Sequence, residues 1–328
     1  MALSEVFVDS HIATQQARLT SPYYPHRKHW PTCLFHHAPM ENAVAILQDG
    51  HLRSRNDAAN QRPRDVAAPG VIDARGHAHD RVRMYFRPKT PTQWHIEGIR
   101  KPGECKYGDA THAGMLVMFA LDAKSVLIRP NIMFSDQNMQ LGSTVPGDTE
   151  LYFSSIDFSK VYSEGNTGGD HSVIDARAAE VLPDSPLPLD QCLKSIFLRS
   201  DPERETLLHA LGNQRDRWAP LCQVSDALKV FQKDYTFVQE LRLTSKGVVF
   251  RLNPRADRQN IKIWIRVYDT DGLKVSEFFN NDHPPHPNPP FGNWIWERTW
   301  SDGMYLIEVD LEDTLACRAK VQLGDSLF

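Results

Sequence analysis

The sequence predicts an α+β chain: a mixed domain of strands and helices over residues 31–234, then a small antiparallel, sandwich-like β domain over 235–328, with residues 1–30 as an N-terminal arm. Three observations carry this. Up to about residue 234, short apolar runs of strand length are interspersed with helical periodicity. Beyond it apolar residues fall at every second position, as in Ile261–Tyr268, the pattern of strands with one buried face. Asp271-Gly272 and Asp302-Gly303 add two hairpin turn signals between such runs.

Along the chain, residues 1–30 are polar and end in Ser21-Pro22-Tyr23-Tyr24-Pro25, which reads as an arm packed on the surface. Leu34-Phe35-His36 is a short strand. Pro39 opens a helix, because a fixed φ suits the first turn and a missing N–H costs nothing there. Met40, Ala43, Val44 and Leu47 share one face of it, and Gly50 can take the left-handed cap that stops it. Residues 53–79 are rich in Arg, Asn, Pro and Gly without periodicity, which implies a long ordered loop of a kind that is usually functional. Arg83-Met84-Tyr85-Phe86 is a strand broken by Pro88 and Pro91, and Gly114–Ala120 is a continuous apolar run that predicts a buried central strand. A further short strand is expected at Val126-Leu127-Ile128. The glycine-rich loop Gly165–Gly169 precedes Ala176–Leu182, which leads into another core element. Residues 190–234 read as mainly helical, best at Glu205–Leu211 and Val224–Phe231. The later strands are Phe237–Leu243, Val248–Leu252, Ile261–Tyr268 and Met304–Val309, with Asn280–Pro290 as a stiff exposed loop.

Composition narrows the function. No run of eighteen apolar residues occurs, and the first residues lack the basic and apolar regions of a signal peptide, so a cytoplasmic protein with no membrane partner is expected. Five widely spaced cysteines without a Cys-x-x-Cys fit a reducing compartment better than a disulfide framework. Net charge is −4, yet residues 51–101 hold eleven Lys/Arg against five Asp/Glu. That local field suits a phosphate-bearing ligand; a solvated arginine-rich face is the alternative. No metal is expected: His77-x-His79 and His283…His286 lack a third ligand at a supporting spacing. Phosphate-loop, dinucleotide-fold and nucleophile-elbow motifs are all missing.

Four stretches occur in an order that resembles the DarT family, whose members ADP-ribosylate bases in DNA. They are Leu34–Gly50, His79–Pro91, Phe134-Ser135-Asp136-Gln137-Asn138, and Arg177-Ala178-Ala179-Glu180-Val181-Leu182-Pro183. The resemblance covers residues 30–234 and departs from the family pattern at Ala38, Arg81, Lys89 and Thr92. It implies an ADP-ribosyltransferase-like split sheet and NAD as substrate. Transfer from NAD passes through an oxocarbenium-like ribose, which an anionic carboxylate stabilises and whose attacking base the same carboxylate can deprotonate. Glu180 is the residue expected to do this, with an acid merely paired to Arg177 as the alternative. By the same resemblance His36 hydrogen-bonds a ribose hydroxyl of NAD, Asn42 projects into the cleft, and Tyr85 rather than Phe86 stacks on nicotinamide. An arginine of the long loop, Arg64 or else Arg62, meets the NAD phosphates. Arg81, Asp136, Asn138 and Arg177 are the acceptor-side candidates.

The expected function is mono-ADP-ribosylation of a nucleobase, in single-stranded DNA first and RNA second, by a toxin or phage-defence enzyme restrained by an antitoxin such as a macrodomain protein. An NAD glycohydrolase and a catalytically silent sensor are the competing readings.

Overall fold

Ser4 opens the first helix, α1 (Glu5–Arg18): its hydroxyl accepts from Phe7 N at 3.3 Å, and Glu5 in the first turn complements the helix dipole. The stretch expected as an arm therefore begins as a helix that buries Val8 and Gln15, with Leu3 buried just ahead of it. The computed structural model describes residues 2–67, 79–287 and 292–323. His77 and the Pro289-Pro290 end of the proline-rich loop lie outside the described residues. The chain forms two units, one of Met1–His95, Met118–Phe197 and Ser225–Val230, the other of Ile96–Val117, Leu198–Val224 and Phe231–Phe328.

In the first unit, β1 (Cys33–Pro39) runs straight into α2 (Met40–Asp49), and Gly50 caps that helix at φ 75°, as its position predicts. The remaining strands of this region are β2 (His51–Leu52), β3 (Met84–Tyr85), β4 (Leu116–Asp122), β5 (Met133–Phe134), β6 (Glu180–Leu182), β7 (Leu187–Pro188) and β8 (Leu193–Leu198). The sheet runs β5-β6-β3-β1-β4-β8, and β2 pairs separately with β7. Leu116 to Leu121 are all buried, so the apolar run is the interior strand it was expected to be. Phe86 joins Phe134, Phe153 and Phe158 in an aromatic cluster of edge-to-face pairs.

Two elements differ from expectation. Val126-Leu127 belong to a helix, Ala123–Leu127, because Asp122 accepts from Ser125 N at 2.8 Å and caps it. An N-cap that satisfies an otherwise orphaned donor outweighs the β propensity of one valine and one isoleucine. Val224–Phe231 is not helical either. β9 (Cys222–Val224) occupies its start, Lys229 and Lys233 take positive φ, and the N–H groups of Gln232 and Lys233 go to the Glu97 carboxylate at 3.1 and 3.0 Å. A helix would have to give up that side-chain anchor.

The second unit is a β-sandwich. Strands β10 (Val238–Thr244), β11 (Gly247–Leu252) and β14 (Trp294–Glu297) form one antiparallel sheet, in the order β10-β11-β14. Strands β12 (Ile261–Tyr268), β13 (Lys274–His283), β15 (Met304–Leu311) and β16 (Thr314–Gln322) form the other, in the order β13-β12-β15-β16. The alternating residues Ile261, Ile263, Ile265 and Val267 meet Leu241, Val248 and Phe250 in one core. Asn280 to His283 are strand rather than loop. Asp271-Gly272 turns β12 into β13, with Gly272 at φ 79°. Asp302-Gly303 joins β14 to β15, which lie in different sheets, so it is a connection and not a hairpin. One two-residue hairpin is at Glu312-Asp313, where φ of 47° and 58° reproduces a primed turn without a glycine. The helix Asp201–Ala210 packs on β16 and β10. Arg199 and Glu203 at its start form a fully buried ion pair that also holds the Gly114 carbonyl. All five cysteines are free thiols and buried. Among the described residues no helix is long and apolar enough to cross a membrane.

Candidate active site

Strand pairing sets the geometry. Tyr85 on β3 lies opposite Phe35 on β1 and opposite Glu180 on β6, so three of the four resembling stretches meet in adjacent strands. The fourth, residues 134–138, is tied to β6 by reciprocal backbone bonds between Ser135 and Glu180, and Ser135 Oγ accepts from Glu180 N at 3.1 Å.

Glu180 has no exposed surface, and its carboxylate accepts three N–H groups. Arg83 Nε donates to Oε2 at 2.6 Å, Arg83 Nη2 to Oε1 at 2.5 Å, and Met139 N to Oε1 at 3.0 Å. The alternative partner weighed for it, Arg177, is engaged elsewhere. The fork on Arg83 is the bidentate arrangement that fixes a carboxylate in both position and plane. Burial works against the Arg83 guanidinium, but the Glu180 carboxylate outweighs it and holds Arg83 above its ordinary range. An ionised carboxylate offers about four acceptor positions. Oε1 uses two, and Oε2 uses one, so Oε2 keeps the free lone pair.

Arg83 is the centre of the cluster. Its Nη2 also donates to Asn138 Oδ1 at 3.2 Å, and its carbonyl accepts from His36 Nδ1 at 2.9 Å. That bond fixes the His36 tautomer with the proton on Nδ1 and the lone pair on Nε2. Burial, only partly offset by the bond to the Arg83 carbonyl, lowers the His36 imidazole below its ordinary range. Its neighbour His37 lies parallel to the Tyr85 ring, centroids 5.4 Å apart, and is pushed down to about 3 by burial, by His36 and by Arg83. Burial, then the nearby Glu180, raises the Tyr85 phenol.

The other expected residues fall in three places. Asn42 holds the loop at Arg64 through both amide atoms, Nδ2 to Arg64 O at 2.7 Å and Oδ1 from Arg64 N at 2.9 Å. The Arg64 side chain reaches Glu41 at 3.3 Å, and burial depresses Arg62. Arg81 is bound to Asp184 at 2.9 Å and to the carbonyl of Asn131, and Arg177 to Ser163 Oγ and Gly165 O, so neither contacts Glu180. Asp136 is exposed, near Tyr152. Much of the basic stretch is neutralised locally, since Arg53, Arg55, Arg64, Arg81 and Arg83 all have carboxylate partners. Among the described residues no group of three or more His, Cys, Asp or Glu could hold a metal.

Sequence reasoning missed Arg83 and His37. Arg83 is two residues before Tyr85, and a period of two places both on one side of β3. That signal was available, but only the pairing of β3 with β6 brings it to Glu180.

The DarT family model, described as ssDNA thymidine ADP-ribosyltransferase, matches residues 35–228, more than half of the chain. The chain belongs to the DarT family. It is accordingly an NAD-dependent ADP-ribosyltransferase, with NAD+ consumed as substrate. Among solved structures, Thermus sp. 2.9 DarT in complex with ADP-ribosylated ssDNA is similar at 18% identity and TM-score 0.51, over 61% of this chain and 96% of that one. The same protein in complex with NAD+ gives 18% and 0.45 over 57% and 91%. Thermosipho africanus DarTG in complex with ADP-ribose gives 14% and 0.43 over 66% and 54%. No curated protein matches. The DarT segment begins at Phe35, so α1 and the turn after it lie outside it, as do β10 to β16.

Proposed function

We propose that the chain transfers ADP-ribose from NAD+ to a thymidine base of single-stranded DNA, with Glu180 as the catalytic carboxylate. The observation that carries this is the Arg83 fork on a fully buried Glu180 within the family segment. In the reaction the bond between ribose and nicotinamide breaks, nicotinamide leaves with the bonding pair, and a base nitrogen forms the new bond as its proton departs. A preorganised anion beside the ribose lowers the energy of the positive charge that develops there. Oε2, the carboxylate oxygen with a free lone pair, is the atom that accepts the ribose hydroxyl or the proton of the base. Arg83 holds that oxygen in place; as an arginine it stays protonated and is not itself the base.

His36, with its lone pair on Nε2, accepts from a ribose hydroxyl. Tyr85 with His37 gives the nicotinamide ring an aromatic surface. The Asn42 clamp presents the Arg64 loop to the phosphates, and Asn138 meets the acceptor base. An enzyme of this kind damages the DNA of its own cell, so the chain acts as a toxin in the cytoplasm, restrained by an antitoxin with a macrodomain-like pocket for ADP-ribose. The unit that holds Glu180 is the catalytic one, and the β-sandwich unit, to which Ile96–Val117 and Leu198–Val224 also belong rather than to a domain ending at 234, is accessory.

The test is incubation with labelled NAD+ and separate DNA and RNA oligonucleotides, beside Glu180→Gln. Label on thymidine-containing single-stranded DNA, lost in the variant, is the expected result. Label on RNA alone, or nicotinamide release indifferent to both polymers, would replace the acceptor and leave an RNA-modifying enzyme or an NAD glycohydrolase.

A further inference from the structure

One cluster of charge is not absorbed by the catalytic geometry. The segment 161–165 is held by arginines from three parts of the chain. Arg27 Nη1 donates to Tyr162 O at 3.0 Å, and Arg87 donates to the carbonyls of Pro88, Val161 and Ser163. Arg177 donates through Nε to Ser163 Oγ at 3.0 Å and through Nη1 to Gly165 O at 2.9 Å. The carboxylate in their midst, Glu164, is shared with Lys89 at 3.0 Å and His26 at 2.5 Å. Arg27, Arg87, Lys89 and Arg177 thus gather around one acid, Glu164. Arg87 is pushed down to about 9, by burial first and then by Arg177 and Arg27, against Glu164.

The cluster also leaves one donor unused. Arg27 Nε is buried without a hydrogen-bond partner among the described residues. The Arg27 guanidinium lies 5.1 Å from the Tyr24 ring centroid, an aromatic–cation pair of the kind that single-stranded nucleic acid stacks on. Tyr24 in turn closes on the glycine-rich loop: a Cβ at Gly165, whose φ is 95°, would stand 3.0 Å from its hydroxyl. The position relative to the chemistry follows from the chain. Tyr85 pairs with Glu180 in an antiparallel ladder, and Arg87, two residues after Tyr85, and Arg177, three residues before Glu180, leave that pair at the same end.

We infer that Tyr24, Arg27 and Arg177, backed by Arg87, form a subsite for a backbone phosphate of the acceptor strand next to the reacting nucleotide. This rests on the DNA-acceptor reading. Tyr24 and Arg27 precede the residues that the family model matches, whereas Arg87 and Arg177 lie within them. The chemistry it recognises is an anionic phosphoryl group, present both in the phosphodiesters of a DNA backbone and in the phosphoanhydride of the NAD+ pyrophosphate. The Tyr24 face beside it favours DNA, since a stacking surface suits a flanking base.

The experiment measures binding of a fluorescein-labelled single-stranded DNA oligonucleotide to the full chain by anisotropy, without NAD+, across a salt series. Each lost phosphate contact lowers the slope of log affinity against log salt by about 0.7 for a single strand. Arg27→Gln is expected to lower it by about that amount and raise the KM for the oligonucleotide, while Arg27→Lys keeps the slope because it keeps the charge. KM for NAD+ is expected to stay the same in both. An unchanged slope in Arg27→Gln overturns the subsite. A raised KM for NAD+ with unchanged DNA binding also overturns it and assigns the anion to the pyrophosphate. Equal loss of binding in both variants, with a matching fall in Tm, reduces Arg27 to a clasp for Tyr162. If the unmodified chain itself shows no salt-dependent DNA binding, the DNA-acceptor reading fails with it.

Discussion

The Arg83–Glu180 pair makes a quantitative demand on a double-mutant cycle of Glu180→Gln and Arg83→Gln. Removing one partner of a buried ion pair costs about 3–5 kcal/mol, because the other charge is left uncompensated. The Arg83 side chain keeps 21% of its surface exposed and Glu180 none. Glu180→Gln therefore sits near the lower end, about 3 kcal/mol, since water can reach the orphaned guanidinium. Arg83→Gln sits higher, about 4 kcal/mol, because the carboxylate is left with Met139 N as its one remaining donor of the three. The double variant carries no charge at the site, so its loss should fall at least about 2 kcal/mol short of the sum. Denaturant unfolding reads this directly. In melting curves Glu180→Gln should lower Tm by about 6–12 °C, taking about 2–4 °C per kcal/mol. Label transfer from NAD+ behaves differently: both single variants and the double should share one floor, at least about 100-fold below the parent. Additive stability losses would refute the claim that these two side chains act as a unit. A Glu180→Gln enzyme within tenfold of parental activity would refute the catalytic assignment.

Other consequences can be checked with less effort. Asn42→Asp removes the donor to the Arg64 carbonyl while keeping the acceptor, and should expose the 53–67 loop to limited proteolysis at a cost of about 1–2 kcal/mol. His37 and His11 are held down to about 3 and about 4, chiefly by burial, against about 6.5 unfolded. The unfolded chain binds more protons below that value, so stability should be complete above pH 6.5 and decline from there toward pH 4; a flat profile in denaturant titrations would contradict the burial of both rings. At Gly247, φ is 145° and a Cβ would stand 2.1 Å from the Trp296 carbonyl. Gly247→Ala should detach β14 from β11 and lower Tm by several degrees in a thermal melt.

What the sequence disclosed divides along a physical line. Local signals were legible: Pro39 and Gly50 bounded α2, the run at Leu116 to Leu121 gave the interior strand, and alternation gave β12. Ser4 and Glu5 also mark a helix start, but a cap alone, without a clear apolar face in α1, is a weak signal. Segments whose state depends on one distant partner were not legible. Gln232 and Lys233 leave helical geometry for the Glu97 carboxylate, and Asp302-Gly303 looks like a hairpin until β14 is seen to pair with β11. The same holds at the site. Glu180 and His36 stood out through family resemblance, whereas Arg83 becomes visible only when β3 and β6, 97 residues apart at this pair, are laid side by side.

The threading of the second unit bears on how the chain is made. Its segments Ile96–Val117 and Leu198–Val224 reach the ribosome exit long before Phe231–Phe328. Gly114 and Arg199 can meet early, but Thr206 waits for β16, whose Arg318 N–H its hydroxyl accepts. At about 5–20 residues per second, β16 follows Glu180 by roughly 7 to 27 seconds. During that interval Glu180 has been synthesised while the Asp201–Ala210 helix still lacks the strand it packs on, and its apolar side is open to whatever binds nascent chains.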